Sequence, residues 1–255
     1  MKRIVVITGA SSGLGRAYAA RISEELKPDE VWLIARRKER LLKLAETLPV
    51  KGVPVAMDIT DRGDMQALKE KLAAENPDIV CLVNAAGMGK TGDVREQTPE
   101  EITAMVSLNC TALAEMTSLA LPYMKRGAWL IQVASIVAFQ PMPGLAVYGA
   151  TKAFVERFSE ALKEELKEDG ILVTCVCPYW VKDTEFIGIA SEKHEQYRLK
   201  PLSLKTAQVI EDTVKAVRRN RMICTPGIVS TFARTASKIV PDQLIMKLLN
   251  LYRKK

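Results

Sequence analysis

The feature that most constrains this chain is an alternation of short apolar runs with longer amphipathic stretches. Residues 4–7, 31–34, 53–57, 79–83, 129–133 and 172–177 are almost free of charge, and residues around 223 form a shorter run. Helical periodicity fills the gaps: after the first run through about residue 26, then at 37–48, 61–75, 99–124, 147–166 and 206–219. Runs this short and this apolar suit strands buried on both faces. Strands separated by helices require parallel crossovers, and right-handed crossovers wind the sheet outward in both directions. The expected fold class is therefore α/β, a single doubly wound parallel sheet of about seven strands with helices on both faces. Its ligand crevice should lie at the carboxyl ends of the strands.

No repeat, linker or low-complexity segment divides the 255 residues, of which 48% are hydrophobic. One domain over residues 1–255 is expected. Residues 178–205 lack the strand–helix rhythm and read as a polar lid over the crevice. Residues 228–255 read as a helical tail. The net charge of +7 comes from 37 basic and 30 acidic residues. They are mixed, as in Lys69-Glu70-Lys71, and no basic patch is interleaved with aromatics, so nucleic-acid binding is not expected. Cysteines at 81, 110, 175, 177 and 224 are odd in number and mostly lie in apolar runs. They read as buried free thiols without metal-ligand spacing, so no metal is expected. The first apolar run is too short for a signal peptide or span, and with unpaired cysteines this points to a reducing cytoplasm. Residues 244–252 are amphipathic and precede Arg253-Lys254-Lys255. That pattern fits an anionic membrane surface, but packing on this or a neighbouring subunit is the preferred reading.

Between the first strand and first helix stands Thr8-Gly9-Ala10-Ser11-Ser12-Gly13-Leu14-Gly15. Gly9 permits a tight turn, Gly13 lets backbone approach a pyrophosphate, and Gly15 lets the helix pack against the sheet. The helix N-terminus then offers N–H groups to phosphate. The second strand ends in Ile34-Ala35-Arg36-Arg37-Lys38, with no acid to accept a ribose 2′-hydroxyl. Bases there disfavour a helix N-terminus unless an anion binds, so Arg36 and Arg37 point to a 2′-phosphate and to NADP(H) over NAD(H).

Tyr148-Gly-Ala-Thr-Lys152 places a phenol and an ammonium on one helical face. A nearby cation is expected to lower the tyrosine pKa and fit it for proton transfer. Ser135 ends the fifth strand, where a hydroxyl can hold a substrate oxygen, and Asn109 is polar within an apolar helix face. Asn84-Ala85-Ala86-Gly87 follows the fourth strand into the expected crevice.

In order and spacing, over about residues 3–185, these motifs resemble the short-chain dehydrogenase/reductase family, a Rossmann-like fold. The resemblance implies Tyr148 as general acid/base, with Lys152 lowering its pKa and binding ribose hydroxyls. Ser135 would orient the substrate oxygen, and Asn109 would support a proton relay through Lys152. It places Gly9, Ser11, Ser12, Gly13, Leu14 and Gly15 at the pyrophosphate, and Arg36 ahead of Arg37 at the 2′-phosphate. Asp58 and Ile59 would meet the adenine, and Asn84, Ala85, Ala86 and Gly87 would line the cofactor. Pro178, Val181 and Thr184 would meet its nicotinamide end. Tyr179 stands where the family usually has glycine after Pro178. Family members are usually homodimers or homotetramers, built here from the helices at 99–124 and 147–166.

The implied activity is hydride transfer between NADP(H) and a ketone or secondary alcohol of a moderately apolar small molecule. Phe139, Met142, Leu145, Phe186, Ile187, Ile189 and Tyr197 would give the pocket its apolar character. A non-catalytic NADP(H)-binding sensor or scaffold is the alternative, which the joint presence of Asn109, Ser135, Tyr148 and Lys152 disfavours. An epimerase or dehydratase would need a larger C-terminal domain. A serine hydrolase lacks the nucleophile elbow, and His194 is the only histidine.

Overall fold

Seven parallel strands form one sheet in the order β3-β2-β1-β4-β5-β6-β7. The computed structural model describes residues 1–186 and 202–252. The strands are β1 (Arg3–Thr8), β2 (Glu30–Ala35), β3 (Lys51–Ala56), β4 (Asp78–Asn84), β5 (Trp129–Val133), β6 (Leu172–Val176) and β7 (Ile223–Cys224). The helices are α1 (Gly13–Leu26), α2 (Lys38–Thr47), α3 (Arg62–Glu75), α4 (Pro99–Val106), α5 (Leu113–Ala120), α6 (Ala146–Glu165), α7 (Thr206–Arg218), α8 (Gly227–Ile239) and α9 (Asp242–Tyr252).

Strand side chains alternate between the two faces of the sheet. Val5, Ile7, Val31 and Leu33 pack with Tyr18 and Ile22 of α1, Leu41 of α2 and Val214 of α7. Ile4, Val6, Trp32 and Ile34 pack on the other side with Leu68 of α3, Met116 of α5 and Leu162 of α6. The apolar runs are continuous because both faces are covered. Pro54 lacks an N–H to donate and is accommodated because β3 is an edge strand.

The order reverses at β1, which pairs with β2 on one side and β4 on the other. Loops leaving the ends of β1 and β4 diverge there and open the crevice. Thr8 and Asn84 are register partners at those ends, and the Thr8 hydroxyl accepts from the N–H groups of Ala85 and Ala86, each at 3.1 Å. The two loops bounding the crevice are thus held in fixed register.

The stretch expected as one helix over 99–124 is helical to Tyr123 but not uniform. Thr98 caps it, accepting from Glu101 N while Glu101 reaches back to Thr98 N, and Pro99 occupies the first turn. Between α4 and α5 the backbone widens into a π-helical turn, Ser107–Ala112, which ends in α5 and then a tighter turn at Leu121–Tyr123. Of the expected lid, residues 187–201, with Ile187, Ile189, His194 and Tyr197, lie outside the described residues. The two ends of that segment are tied by a parallel bridge between Val181 and Leu204.

Candidate active site

A cleft of about 880 Å³ opens over the carboxyl ends of β1, β4 and β5. Every catalytic or cofactor-binding residue expected from the sequence lines it except Asn84 and Asn109. The glycines of the first loop are demanded by space. A Cβ on Gly9 would stand 2.8 Å from the Ala86 backbone at φ +69°, and one on Gly15 would meet the Gly9 carbonyl carbon at 2.6 Å. Ser12 is the N-cap of α1 but makes no side-chain cap, and no acid stands in the first turn. That arrangement leaves the helix N-terminus free of side-chain anions and suits a phosphate.

Arg37 reaches into this loop. Its guanidinium donates to Ser11 Oγ at 3.0 and 3.1 Å and to Ser12 Oγ at 2.7 Å. A further donor meets Glu185 at 2.8 Å, and Arg40 meets the second Glu185 oxygen at 2.5 Å. Arg36 is more exposed and stands 3.7 Å from Asp58. Burial raises the Asp58 carboxyl, but hydrogen bonds from Thr60 and the charge of Arg36 outweigh it and hold the group below its ordinary pKa. Arg40, one turn beyond Arg37 on α2, was not anticipated, although the three-residue spacing was visible.

At the other end of the cleft, α6 delivers Tyr148 and Lys152 together, both buried. The Lys152 ammonium donates to the Val133 carbonyl at 2.9 Å and lies 5.8 Å from the Tyr148 ring centroid. Ser135 extends from the end of β5 and hydrogen-bonds the phenol. The expected lowering of the Tyr148 pKa is not what the fold produces. Burial pushes the phenol up, and the Ser135 hydrogen bond pulls it back only in part. Burial also pushes Lys152 down, to about 8. Desolvation disfavours both charged forms. Near neutrality Tyr148 therefore keeps its proton, and Lys152 is mostly cationic but close to its titration.

Asn109 sits fully buried in the π-helical turn. Its amide donates to Met88 O at 2.8 Å and Thr151 Oγ at 2.9 Å, and its carbonyl accepts from Met88 N at 3.0 Å. Thr151 in turn donates to Tyr148 O at 2.7 Å. Asn109 thus pins the loop after β4 to the helix carrying Tyr148. A Cβ on Gly87 would meet both Asn109 Oδ1, at 3.2 Å, and Lys152 Nζ, at 3.3 Å. Loop, asparagine and lysine converge on that one glycine.

Two expectations need correction. Asn84 does not line the cleft. It is buried beneath it, donating to Thr117 Oγ1 and Gln132 Oε1 at 3.0 Å each, because its register partner Gln132 shares its face of the sheet. The polar Gln132 within the apolar run of β5 was the available signal. Phe139 also turns away and packs toward Val155 and Cys177. Met142, Leu145 and Phe186 do face the cleft, and Phe186 lies 5.6 Å from the Tyr148 ring. Tyr179 is buried, lines the cleft, and is fixed by a backbone hydrogen bond to Ser230 at 3.0 Å. Gly89 was missed: a Cβ there would stand 2.8 Å from Tyr148 and 3.1 Å from Phe186. Among the described residues no cluster of three His, Cys, Asp or Glu side chains is placed to hold a metal ion.

The short chain dehydrogenase profile matches residues 3–195, which contain the whole cleft apparatus described above. The chain belongs to the short chain dehydrogenase family. This short chain dehydrogenase is 32% identical over 217 residues to an NADP-dependent 3-hydroxy acid dehydrogenase of Salmonella typhi, covering 84% of this chain and 87% of that one. Among solved structures it resembles a short-chain dehydrogenase from Sphingobium yanoikuyae in complex with NADPH, with a TM-score of 0.79, 29% identity and 96% and 95% of the two chains covered. It also resembles the bulky-bulky ketone specific alcohol dehydrogenase from Comamonas testosteroni, with a TM-score of 0.74, 25% identity and coverage of 98% and 94%.

Proposed function

We propose that this short chain dehydrogenase transfers a hydride between NADP(H) and a ketone or secondary alcohol of a moderately apolar small molecule. The observation that carries the reading is one continuous cleft with two chemically distinct ends. A glycine cradle edged by Arg36 and Arg37 lies at one end, and the buried Ser135–Tyr148–Lys152 group lies at the other. The cradle is closed as a dinucleotide site requires: Gly9 and Gly15 let the loop press against the Ala86 backbone and fold back on itself, and the uncapped N-terminus of α1 opens beside it. Ser11, Ser12, Gly13, Leu14 and Arg37 would hold the phosphates, and Asp58 and Ile59 the adenine. Ala85 to Gly87, Pro178, Val181, Thr184 and Lys152 would hold the nicotinamide half. When bound, NADP(H) supplies or accepts the hydride.

The chain's own residues handle the oxygen. In reduction the Ser135 hydroxyl orients the carbonyl, and Tyr148 Oη gives its proton to that oxygen as negative charge develops. The Lys152 ammonium then stabilises the phenolate left behind. Asn109 acts by fixing the Met88 loop and α6. Met142, Leu145 and Phe186 form an apolar wall for the substrate, in keeping with the NADP-dependent and ketone-specific relatives. We assign the protein to a reducing compartment, the cytoplasm, because its five cysteines are free. A homodimer or homotetramer is proposed through α4, α5 and α6, where Val106 and Phe154, stacked on the half-buried Phe158, stand at the surface.

Titration of the purified chain with NADPH and NADH, followed by nicotinamide fluorescence, tests the cradle and the arginines. Selective NADPH binding is expected, and equal affinity would remove the 2′-phosphate assignment. Tyr148→Phe should lower kcat for carbonyl reduction by about 10²–10⁴-fold while leaving NADPH affinity nearly unchanged. Selective binding with no turnover of any carbonyl by the unmutated chain would favour the sensor reading instead.

A further inference from the structure

Among the described residues, half of the exposed large hydrophobic side chains fall between residues 228 and 251. Ile228 is 88% exposed, Phe232 72%, Ile239 75% and Leu251 80%, far above what a single surface leucine needs explained. They are not scattered. On α8, positions 228, 232 and 239 follow one another by four and seven residues and so share a stripe. On α9, Leu244 and Leu251 are seven apart and do the same. The opposite side of α8 is the packed one: Ser230 is buried and receives the Tyr179 N–H, and Val229 packs on the core. None of these residues lines the cleft.

The charge beside the stripe is one-sided. Arg234, Lys238 and Lys247 of α8 and α9 stand against Asp242 alone on these two helices, and Arg253, Lys254 and Lys255 follow in the sequence. Lys238 and Lys247 are exposed. Each lies roughly a quarter turn or less from its helix's apolar stripe, where a long side chain can reach up from an apolar boundary. Glu156 on α6 lies within electrostatic reach of Arg234 and Lys238.

A second copy of this chain docking on the face by two-fold symmetry would set this positive surface against itself. An anionic lipid surface complements both the charge and the apolar stripe. We propose that α8 and α9 form a peripheral membrane-binding face, with the apolar stripe seated at the headgroup–acyl boundary and the basic residues on anionic lipid phosphates. This assignment is independent of the substrate reading, since it uses no cleft residue.

The test is flotation of the full chain with phosphatidylcholine vesicles and with vesicles that also contain phosphatidylglycerol. The chain should rise with the anionic vesicles, much less with the neutral ones, and less at raised salt. Phe232→Glu should weaken this partition by roughly tenfold or more. Lys238→Gln and Lys247→Gln should each weaken it roughly fivefold. All three should retain NADPH binding, which reports an intact fold. No flotation with anionic vesicles, or equal flotation of Phe232→Glu, overturns the proposal. So does sedimentation showing an oligomer of the unmutated chain that Phe232→Glu splits, because the face would then be an interface between copies.

Discussion

Tyr148 and Lys152 show how burial can overrule a pairing that sequence spacing announces. Four residues on a helix bring ammonium and phenol close, yet both lose solvent, and desolvation raises one pKa and lowers the other. The proposed carbonyl reduction needs Tyr148 protonated and Lys152 charged. Tyr148 keeps its proton well beyond neutrality, so Lys152 is the group that titrates first, near 8. The rate of reduction should therefore hold through neutral pH and fall as the pH rises through about 8. A profile of kcat/KM for the carbonyl against pH reads this directly. A level profile through that region would mean Lys152 keeps its charge when working, and would move the control to another group. The grouping of Ser135, Tyr148 and Lys152, proposed above as catalytic, was legible because the proposed chemistry dictates residue type and spacing. The direction of the tyrosine shift was not, because desolvation depends on what the rest of the chain packs around the site. Gly89 was illegible for the same reason, its need being the Tyr148 and Phe186 rings, distant in sequence.

At the scale of elements, the amino ends of the strands carry a cluster as organised as the cleft at the opposite end. Glu30, at the start of β2, is 6% exposed and accepts from Trp32 Nε1 at 3.1 Å and Lys51 Nζ at 2.9 Å, while Lys2 lies at 3.2 Å. Lys2 also reaches Glu75 at the end of α3 at 3.1 Å. One carboxylate thus joins the approaches to β1, β2 and β3. Burial raises its pKa, but the hydrogen bonds from Lys51, Trp32 and Lys2 prevail and hold it at about 2, against an ordinary 4.5. A depressed folded pKa means the stabilisation is complete above about 4.5 and is lost as the pH falls toward 2. Glu30→Gln should cost about 2 kcal/mol near neutrality and lower Tm by about 4–8 °C. Thermal melts of both chains should converge in acid, and a gap that persists there would show that packing, not charge, is lost. Strand and helix positions were plain from the apolar runs and the helical periodicity between them. The π-helical turn at Asn109 was not, because the Met88 and Thr151 partners that hold its side chain lie far away in the sequence.

For the whole molecule, the doubly wound sheet was readable because each crossover has one favoured hand, and parallel strands covered on both faces leave continuous apolar runs. What periodicity left open was which surface meets what: it favoured subunit packing for the tail, whereas the exposure of α8 and α9 beside their charge argues for lipid. It also gave no sign that the two halves of the sheet are clasped across the cleft. Arg37 and Arg40 follow β2, and Glu185 follows Thr184 in the segment after β6. The clasp uses the same guanidinium that touches Ser11 and Ser12, so a 2′-phosphate entering there would compete with the Glu185 carboxylate. The guanidiniums hold that carboxylate below its ordinary pKa, so it stays charged and competing at neutral pH. Glu185 is about half exposed, which limits the strength of the clasp. Glu185→Gln should therefore tighten NADPH binding only modestly, by roughly two- to fivefold, and leave NADH affinity unchanged. The ratio of the two dissociation constants isolates the phosphate from any general effect on the fold. A weaker NADPH affinity in Glu185→Gln would reverse the argument, because the carboxylate would then be holding Arg37 and Arg40 in place for the phosphate and not standing in its way.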